Sequence, residues 1–444
     1  MKIVKLCCVV VLAVHLAIVS GLWAQEAPVN KTILTNCNLI DCTGEPIKSD
    51  MAIVIEGNRI AEIRSGPFLY TSDGDVRVID LKGAYVLPGL WNMHVHLSDL
   101  LPDVHDMLGQ EATLPATLRA GRNAMDALKY GFTGLRIVGE RDYIDLAWRD
   151  AFNSGVYVGP RIFAAGKIVT PGFYDSDEPD WPVEIFANGP DEIRNALEEN
   201  IARGIDFVKI FAPALNDEEM ALIIGIAHEH GLKVTAHSGG ESAHRAVMAG
   251  VDCLEHGTMI TDETIQLMAE KGVFLCPTVV CNLSEEYIQE REARLAKLGF
   301  SDQKDVVEGR ILVAHADERS PRAAARHREI IVTAAKAGVK ILSGSDSNPL
   351  DELGILEIEQ LVLSGLTEMQ ALQAATRNCA EICGVLDKLG TIEQGKLADL
   401  IVVAENPLED ISNLRKLKMV FKDGKSVDLS KEEGQTSFWN LYFK

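Results

Sequence analysis

Between Trp91 and Ser343 the chain repeats one pattern, a short and mostly apolar run followed by a longer stretch with helical periodicity. The short runs are Trp91–His96, Thr133–Val138, Arg161–Ala165, Phe207–Phe211, Lys233–His237, Cys253–His256, Val273–Pro277 and Lys340–Ser343. Runs of this kind suit parallel strands covered on both faces, whereas a half-exposed strand would alternate apolar and polar residues. Helical stretches such as Asp217–His230 and Thr261–Lys271 lie between them, as parallel neighbours need a long crossover. Eight strands with helices between them predict an α/β fold, a (β/α)8 TIM barrel over residues 87–387. A chain of 444 residues accommodates such a barrel, roughly 250–300 residues, and a smaller domain besides. Only 6% of residues are aromatic, so the core must be built from small aliphatic side chains, as in a helix-wrapped parallel sheet.

The flanks read differently. Thr32–Leu39, Met51–Ile55, Arg59–Ile63 and Val76–Leu81 are short strands broken by turn residues, and Asp399–Val403 and Lys418–Lys422 repeat the pattern at the far end. One small β-sandwich domain is expected from both chain ends, residues 25–86 and 388–430, with 431–444 left as a C-terminal tail. The charged, helical segment Asn282–Arg328 is expected as an excursion between the seventh and eighth strands. At the N-terminus, Lys2 and Lys5 precede an apolar run, Val9–Val19, and the small residues Ser20, Gly21 and Ala24 follow. That order predicts a secretory signal peptide over 1–24 and a periplasmic or secreted protein. The run is shorter than the ~20 residues of a spanning helix, so no membrane span is expected after its removal. Most of the cysteines read as buried small hydrophobes, with Cys37 and Cys42, or Cys379 and Cys383, as the pairs that could instead bridge in an oxidising compartment; the helical spacing of the second pair favours packing. The net charge of -22, without a basic stripe, excludes nucleic acid as the expected partner. A small-molecule or dipeptide substrate is expected instead, along with assembly into a homo-oligomer.

Chemistry concentrates at the ends of the short runs. In His94-Val95-His96, residues i and i+2 of a strand point to one face, so two imidazoles aim at one spot and suit zinc or a similar ion. His237 closes Lys233–Ala236, and His256 closes Cys253–Glu255. Alone, each reads as well as a structural histidine. Lys209 lies in an apolar strand where a bare ammonium is costly. A lysine made less basic by burial can add CO2 and, as a carbamate, bridge two cations; a salt bridge to Asp206 is the alternative. Asp346, in a Ser/Gly/Asn-rich loop after the last strand, suits metal ligation and proton transfer, or a simple turn. All six fall in or after strands, where barrel enzymes keep their chemistry. His228 and His230 also spell His-x-His but close a helix, where i and i+2 diverge.

Leu87-Pro-Gly-Leu-Trp-Asn-Met-His-Val-His, the Lys209 strand, Ala236-His237, Glu255-His256-Gly257, Gly344-Ser-Asp346 and Gly395-Lys-Leu-Ala-Asp-Leu-Ile-Val-Val resemble the amidohydrolase superfamily. The branch is that of imidazolonepropionase-like hydrolases and prolidase-like dipeptidases. The resemblance implies two divalent metal ions, usually zinc. His94, His96 and Asp346 would hold one, His237 and His256 the other, and Lys209 as N6-carboxylysine would bridge them. It further implies that a metal-bridging hydroxide attacks the carbonyl while Asp346, the catalytic residue, carries the proton to the leaving amine. The reaction implied is hydrolysis of a C–N bond in a small amide, cyclic amide or dipeptide. A lactone, ester or phosphotriester hydrolase with the same centre is the alternative, as is an inactive binding protein on this scaffold. Arg136, Tyr174, Ser238 and Thr278 are the candidate substrate-binding residues. Dipeptidases of the branch carry a Gly-Gly-His segment, a tyrosine after the fifth-strand histidine and Arg-Asp on the second strand. Here Thr170–Asp175, Ser238 and Arg136-Ile137 stand in those places, so Arg136 either grips an anionic substrate or pairs with an acid inside the fold.

Overall fold

The computed structural model describes residues 31–66, 76–98, 112–171, 183–282, 321–346 and 350–430. The expected signal segment 1–24, the tail 431–444 and most of the expected excursion lie outside the described residues, as does Tyr174. No helix among the described residues is long and apolar enough to cross a membrane.

Strands β1 (Lys31–Leu39), β2 (Lys48–Glu56), β3 (Arg59–Ser65), β4 (Val76–Asp80) and β5 (Tyr85–Pro88) come from the N-terminal flank. Two parallel sheets follow, built from β6 (Leu90–Val95), β7 (Phe132–Ile137), β8 (Arg161–Ala164), β9 (Ile168–Thr170), β10 (Glu184–Phe186), β11 (Phe207–Phe211), β12 (Lys233–Gly239), β13 (Cys253–Thr258) and β14 (Phe274–Cys276). The chain ends with β15 (Leu400–Val403), β16 (Leu417–Lys422) and β17 (Lys425–Ser426).

The terminal strands form one sheet in the order β17-β16-β15-β5-β1-β2-β3, with β4 pairing β1 as a branch. Both flanks thus contribute to one hydrogen-bonded sheet that branches at a single strand. The cause lies in β1, whose register with β2 shifts between Leu34 and Cys37, where Asn36 takes a φ of +54°. Its first half pairs with β4 and its end with β5, so one strand serves two neighbours on the same side. Antiparallel β15 on β5 joins the two chain ends, and these strands divide two cores. Val86, Leu400 and Val402 face a small cluster with Leu34, Ile53 and Phe421, while Leu87, Ile401 and Val403 face the main core.

In the central region alternate residues again go separate ways. Val208, Ile210, Val234, Ala236 and Leu254 pack outward under the helices, leaving Lys209, Thr235, His237 and Glu255 on the opposite face. Beneath these, Trp91, Met93, Cys253, Phe274, Cys276 and Leu342 form a second, inner apolar cluster. The parallel orders are β6-β7-β8 and β10-β9-β11-β12-β13-β14. Backbone hydrogen bonds join the two sheets at both sides. Asp206 N–H donates to the Ala164 carbonyl, Leu342 N–H to Leu275, Met93 N–H to Ser343, and Asp346 N–H to His94. The third expected strand, Arg161–Ala165, is β8, and Gly166, at φ +66°, turns the chain into a further short strand, β9. The expected strand Lys340–Ser343 is reduced to one parallel bridge, Leu275 to Ile341, plus these hydrogen bonds. Cys37, Cys42, Cys253, Cys276, Cys379 and Cys383 are all free thiols, so neither pair bridges.

The helix Leu350–Ser364 is packed on nearly every side. Arg415 clamps it through Glu359 at 2.8 Å and Glu352 at 2.6 Å, all three side chains being almost wholly buried. Removing the guanidinium strands two carboxylates in a low-dielectric environment. Arg415→Ala is expected to lose about 3–5 kcal/mol of stability, read as a lowered urea midpoint. Gly225, in the middle of the helix Asp217–Glu229 with open space where a Cβ would go, marks the opposite case. Gly225→Ala should raise the same midpoint, by about 0.4–1 kcal/mol.

Candidate metal centre

Five side chains converge above the inner apolar cluster, and the backbone around them is unusual. β6 shifts register twice against β7, so Met93 joins the inner cluster while His94 beside it meets Asp346. His256 and Asp346 take φ values of +67° and +49°, and Thr278, which contacts His256, one of +48°. Positive φ is strained for side chains other than glycine, and such residues persist where surrounding contacts hold them. His94 Nε2 lies 3.2 Å and His96 Nε2 3.5 Å from Asp346 Oδ1. Donor atoms of His94, His256 and Asp346 all lie within 4.8 Å of one another. The His237 ring packs at 4.4 Å between centroids on His256, and on its other side meets Phe211 at 4.5 Å. Lys209 is buried on the same inner face of β11.

Each ring is oriented from behind. His94 Nδ1 lies 2.7 Å from Glu255, whose carboxylate also receives Arg136 and the Thr235 hydroxyl. His96 Nδ1 donates to the Gly139 carbonyl at 2.7 Å, which fixes its tautomer and makes Nε2 the acceptor nitrogen of the ring. His256 Nδ1 lies 2.7 Å from Thr278 Oγ1, and His327 Nε2 donates to the His256 carbonyl at 2.8 Å. Partners of this kind set ring orientation and basicity in metal sites. His94, Glu255 and Cys276 also converge, but there the imidazole nitrogen is already hydrogen-bonded to the carboxylate. That side is support for His94.

The electrostatics suit cation binding. Burial holds His96 and His256 below the usual histidine range and takes His237 down to about 3, so all three present neutral imidazoles. Burial also lowers Lys209, against the pull of Glu255 and Asp346, which favours the amine form. For Asp346 burial acts upward, but the pull of His94, which also hydrogen-bonds it, outweighs burial and holds the carboxyl well below the usual carboxylate range. Neutral nitrogen donors around one carboxylate, beside a lysine of weakened basicity, are chemically fitted to divalent metal ions.

The six residues singled out in the sequence thus lie on one inner face, while Arg136, Ser238 and Thr278, the described candidates for substrate contact, each have a hydrogen-bond partner in the protein. Arg136 is buried under the site, where it pairs with Glu255 and donates to the Met93 carbonyl, so its place is the internal ion pair. Ser238 is buried and donates to the Ala236 carbonyl. Thr278 is buried as well and touches His256. Asp206, the alternative partner for Lys209, pairs with Arg149 at 2.9 Å. His228 binds Asp252 at an exposed helix end. Sequence reasoning missed Glu255, Gly139 and His327 as supports. Glu255 carried a signal, since it is a charged residue in an apolar strand beside a candidate ligand; the other two carried none.

The sequence profile of the amidohydrolase family matches residues 85–427. The chain is 28% identical to ochratoxinase of Aspergillus niger over 457 aligned positions, 91% of this chain and 87% of that one. It is 24% identical to enamidase of Eubacterium barkeri over 430 positions, 90% and 95% of the two. Among solved structures, a Xaa-Pro dipeptidase with methionine in its active site superposes with a TM-score of 0.74 at 32% identity, covering 90% of this chain and 100% of that one.

Gly344 is wedged between two supports of the centre. A Cβ there would stand 2.4 Å from Cys276 Sγ and 2.8 Å from both the His94 nitrogen and its Cβ. Gly344→Ala is expected to cost about 1–3 kcal/mol through overpacking, seen as a lowered denaturation midpoint, and to displace His94 in a crystal structure.

Proposed function

As this chain belongs to the amidohydrolase family, we propose that it is a binuclear metal-dependent hydrolase cleaving the C–N bond of a small amide, cyclic amide or dipeptide. The observation that carries this reading is the convergence of His94, His256 and Asp346 within 4.8 Å, with His96, His237 and buried Lys209 around them. His94, His96 and Asp346 would hold one ion, His237 and His256 the other, and Lys209 as N6-carboxylysine would join the two. Zinc is the ion that the nitrogen-rich donor set favours. When bound, the ions supply Lewis acidity toward the scissile carbonyl and make a water acidic enough to attack it.

The protein's own part is positioning and proton transfer. Asp346, held as a carboxylate beside His94, accepts the proton of the attacking water and delivers it to the leaving nitrogen. Glu255 neutralises Arg136 and orients His94, so the acid–base work is left to Asp346. The names ochratoxinase, enamidase and Xaa-Pro dipeptidase among the relatives favour a C–N bond over the ester and phosphotriester alternatives.

The closed (β/α)8 barrel, its span of 87–387 and the β domain of 25–86 and 388–430 belong to this proposal. They are supported by the parallel orders, the joining hydrogen bonds and the pairing of β15 with β5. The N-terminal segment supports export to the periplasm or the exterior. Exposed Leu114, Leu118, Val156 and Val158 support a homo-oligomer.

Metal analysis of the purified protein, followed by hydrolysis assays on N-acyl amino acids, dipeptides, hydantoins, lactones and phosphotriesters, tests the reading. About two divalent ions per chain and turnover confined to the amides are expected; a protein binding no stoichiometric metal refutes it. Lys209→Ala is expected to lose at least about a hundredfold in kcat/KM, beyond the 10–100-fold typical of a supporting partner. Short carboxylic acids should restore part of the loss, and wild-type activity in this variant would exclude the carbamate.

A further inference from the structure

One buried carboxylate near the centre belongs neither to the donor set nor to an ion pair among the described residues. Glu357, in the helix Leu350–Ser364, is fully buried. Its Oε1 accepts from Val279 N–H at 3.0 Å and its Oε2 from Val280 N–H at 2.9 Å. These two donors open the short turn Val279–Asn282, which follows directly on Thr278. Thr278 holds a φ of +48° and places its hydroxyl 2.7 Å from His256 Nδ1. A continuous chain of contacts therefore runs from the helix to one imidazole of the centre.

A carboxylate in this place needs an account. Burial pushes Glu357 up to about 8, the charge of Asp346 adds to that, and the two N–H donors work against it. Among the described residues its attachments are the two backbone groups. An interior N–H left without an acceptor costs about 1–3 kcal/mol, so the carboxylate and the turn hold one another in place. Ordinary helix packing would need only an apolar side chain here, like Leu353, Leu356 and Leu361 of the same helix. Two acceptor atoms are required only if the turn after Thr278 must be held in one conformation.

We propose that Glu357 is a positioning residue, which fixes the turn at 278–280 so that Thr278 sets the rotation of the His256 ring. The proposal rests on reading His256 as a metal ligand. Helix Leu350–Ser364 then serves the centre twice, since Asp346 lies just before its start and its buried Glu357 braces the neighbouring loop. Arg415, through Glu352 and Glu359, anchors the same helix to the C-terminal part of the chain.

The test compares Glu357→Gln, Thr278→Val and the double variant in the full-length protein as purified. A glutamine keeps one acceptor and turns an NH2 group toward the other N–H. Two readings are taken, the imidazole 15N shifts of His256 and the rate at which zinc is lost to a chelator. Glu357→Gln is expected to move the His256 shifts in the same direction as Thr278→Val. Each single variant should speed zinc loss by about 10–100-fold, and the double variant should add little to either. Wild-type shifts and wild-type zinc retention in Glu357→Gln overturn the proposal, even if its thermal midpoint falls. Fully additive effects in the double variant overturn it too. If Glu357→Gln does not fold, Glu357→Asp, which keeps the carboxyl group but shortens the reach, is judged by the same two readings. A wild-type protein that holds no zinc refutes the metal reading on its own, and the His256 shifts still decide the role of Glu357.

Discussion

A carboxylate with no exposure to water has to be neutralised by what surrounds it, and Glu255 imposes that condition on three other strands at once. Arg136 on β7, Thr235 on β12 and His94 on β6 all turn toward it from their own positions. Removing any one would leave an unmatched charge or donor in a low-dielectric interior, at a cost of several kcal/mol. The inward faces of these strands are therefore locked in register around one point. His94, the imidazole nearest that point, inherits its orientation from the lock. The same ion pair explains why Arg136 is not at the disposal of a substrate.

The centre above this pair is assembled from strained pieces held by neutral contacts. His256 and Asp346 sit at positive φ, and each is pinned by neighbours, His256 through Thr278 and His327 and Asp346 through its N–H to the His94 carbonyl. Backbone strain of about 1–3 kcal/mol per residue is sustainable only where packing over-determines the conformation. The packing here is dense, with an apolar floor of Trp91, Met93, Phe274 and Leu342 below and the outer core behind. A rigid floor and a polar top suit a site that must place several donors within a few tenths of an ångström.

The two ends of the chain contribute to that rigidity from a distance. β15 completes the sheet begun by β1 to β5, and the segment between β15 and β16 carries Arg415 to the helix Leu350–Ser364. Arg161 on β8 reaches Asp399 just before β15 at 2.9 Å. The terminal sheet is thus bonded to the hydrolase region through buried or half-buried ion pairs as well as through apolar contact.

Much of this was legible in the residues alone. The alternation of apolar runs and helical stretches specified parallel strands, because such runs are stable only when covered on both faces, and the i, i+2 spacing of His94 and His96 specified a shared direction. The terminal strands were legible as strands, though their union in one branched sheet was not, because that depends on a local irregularity at Asn36. Contacts distant in sequence were beyond reach. Nothing in the chain announces that Gly139 offers its carbonyl to His96, that His327 supports His256 or that Glu357 holds the turn at Val279, since each meets its partner only after the strands are in register. Local pattern determines which face a side chain takes; which partner it finds there is decided by tertiary packing, where one buried charge must be answered by another.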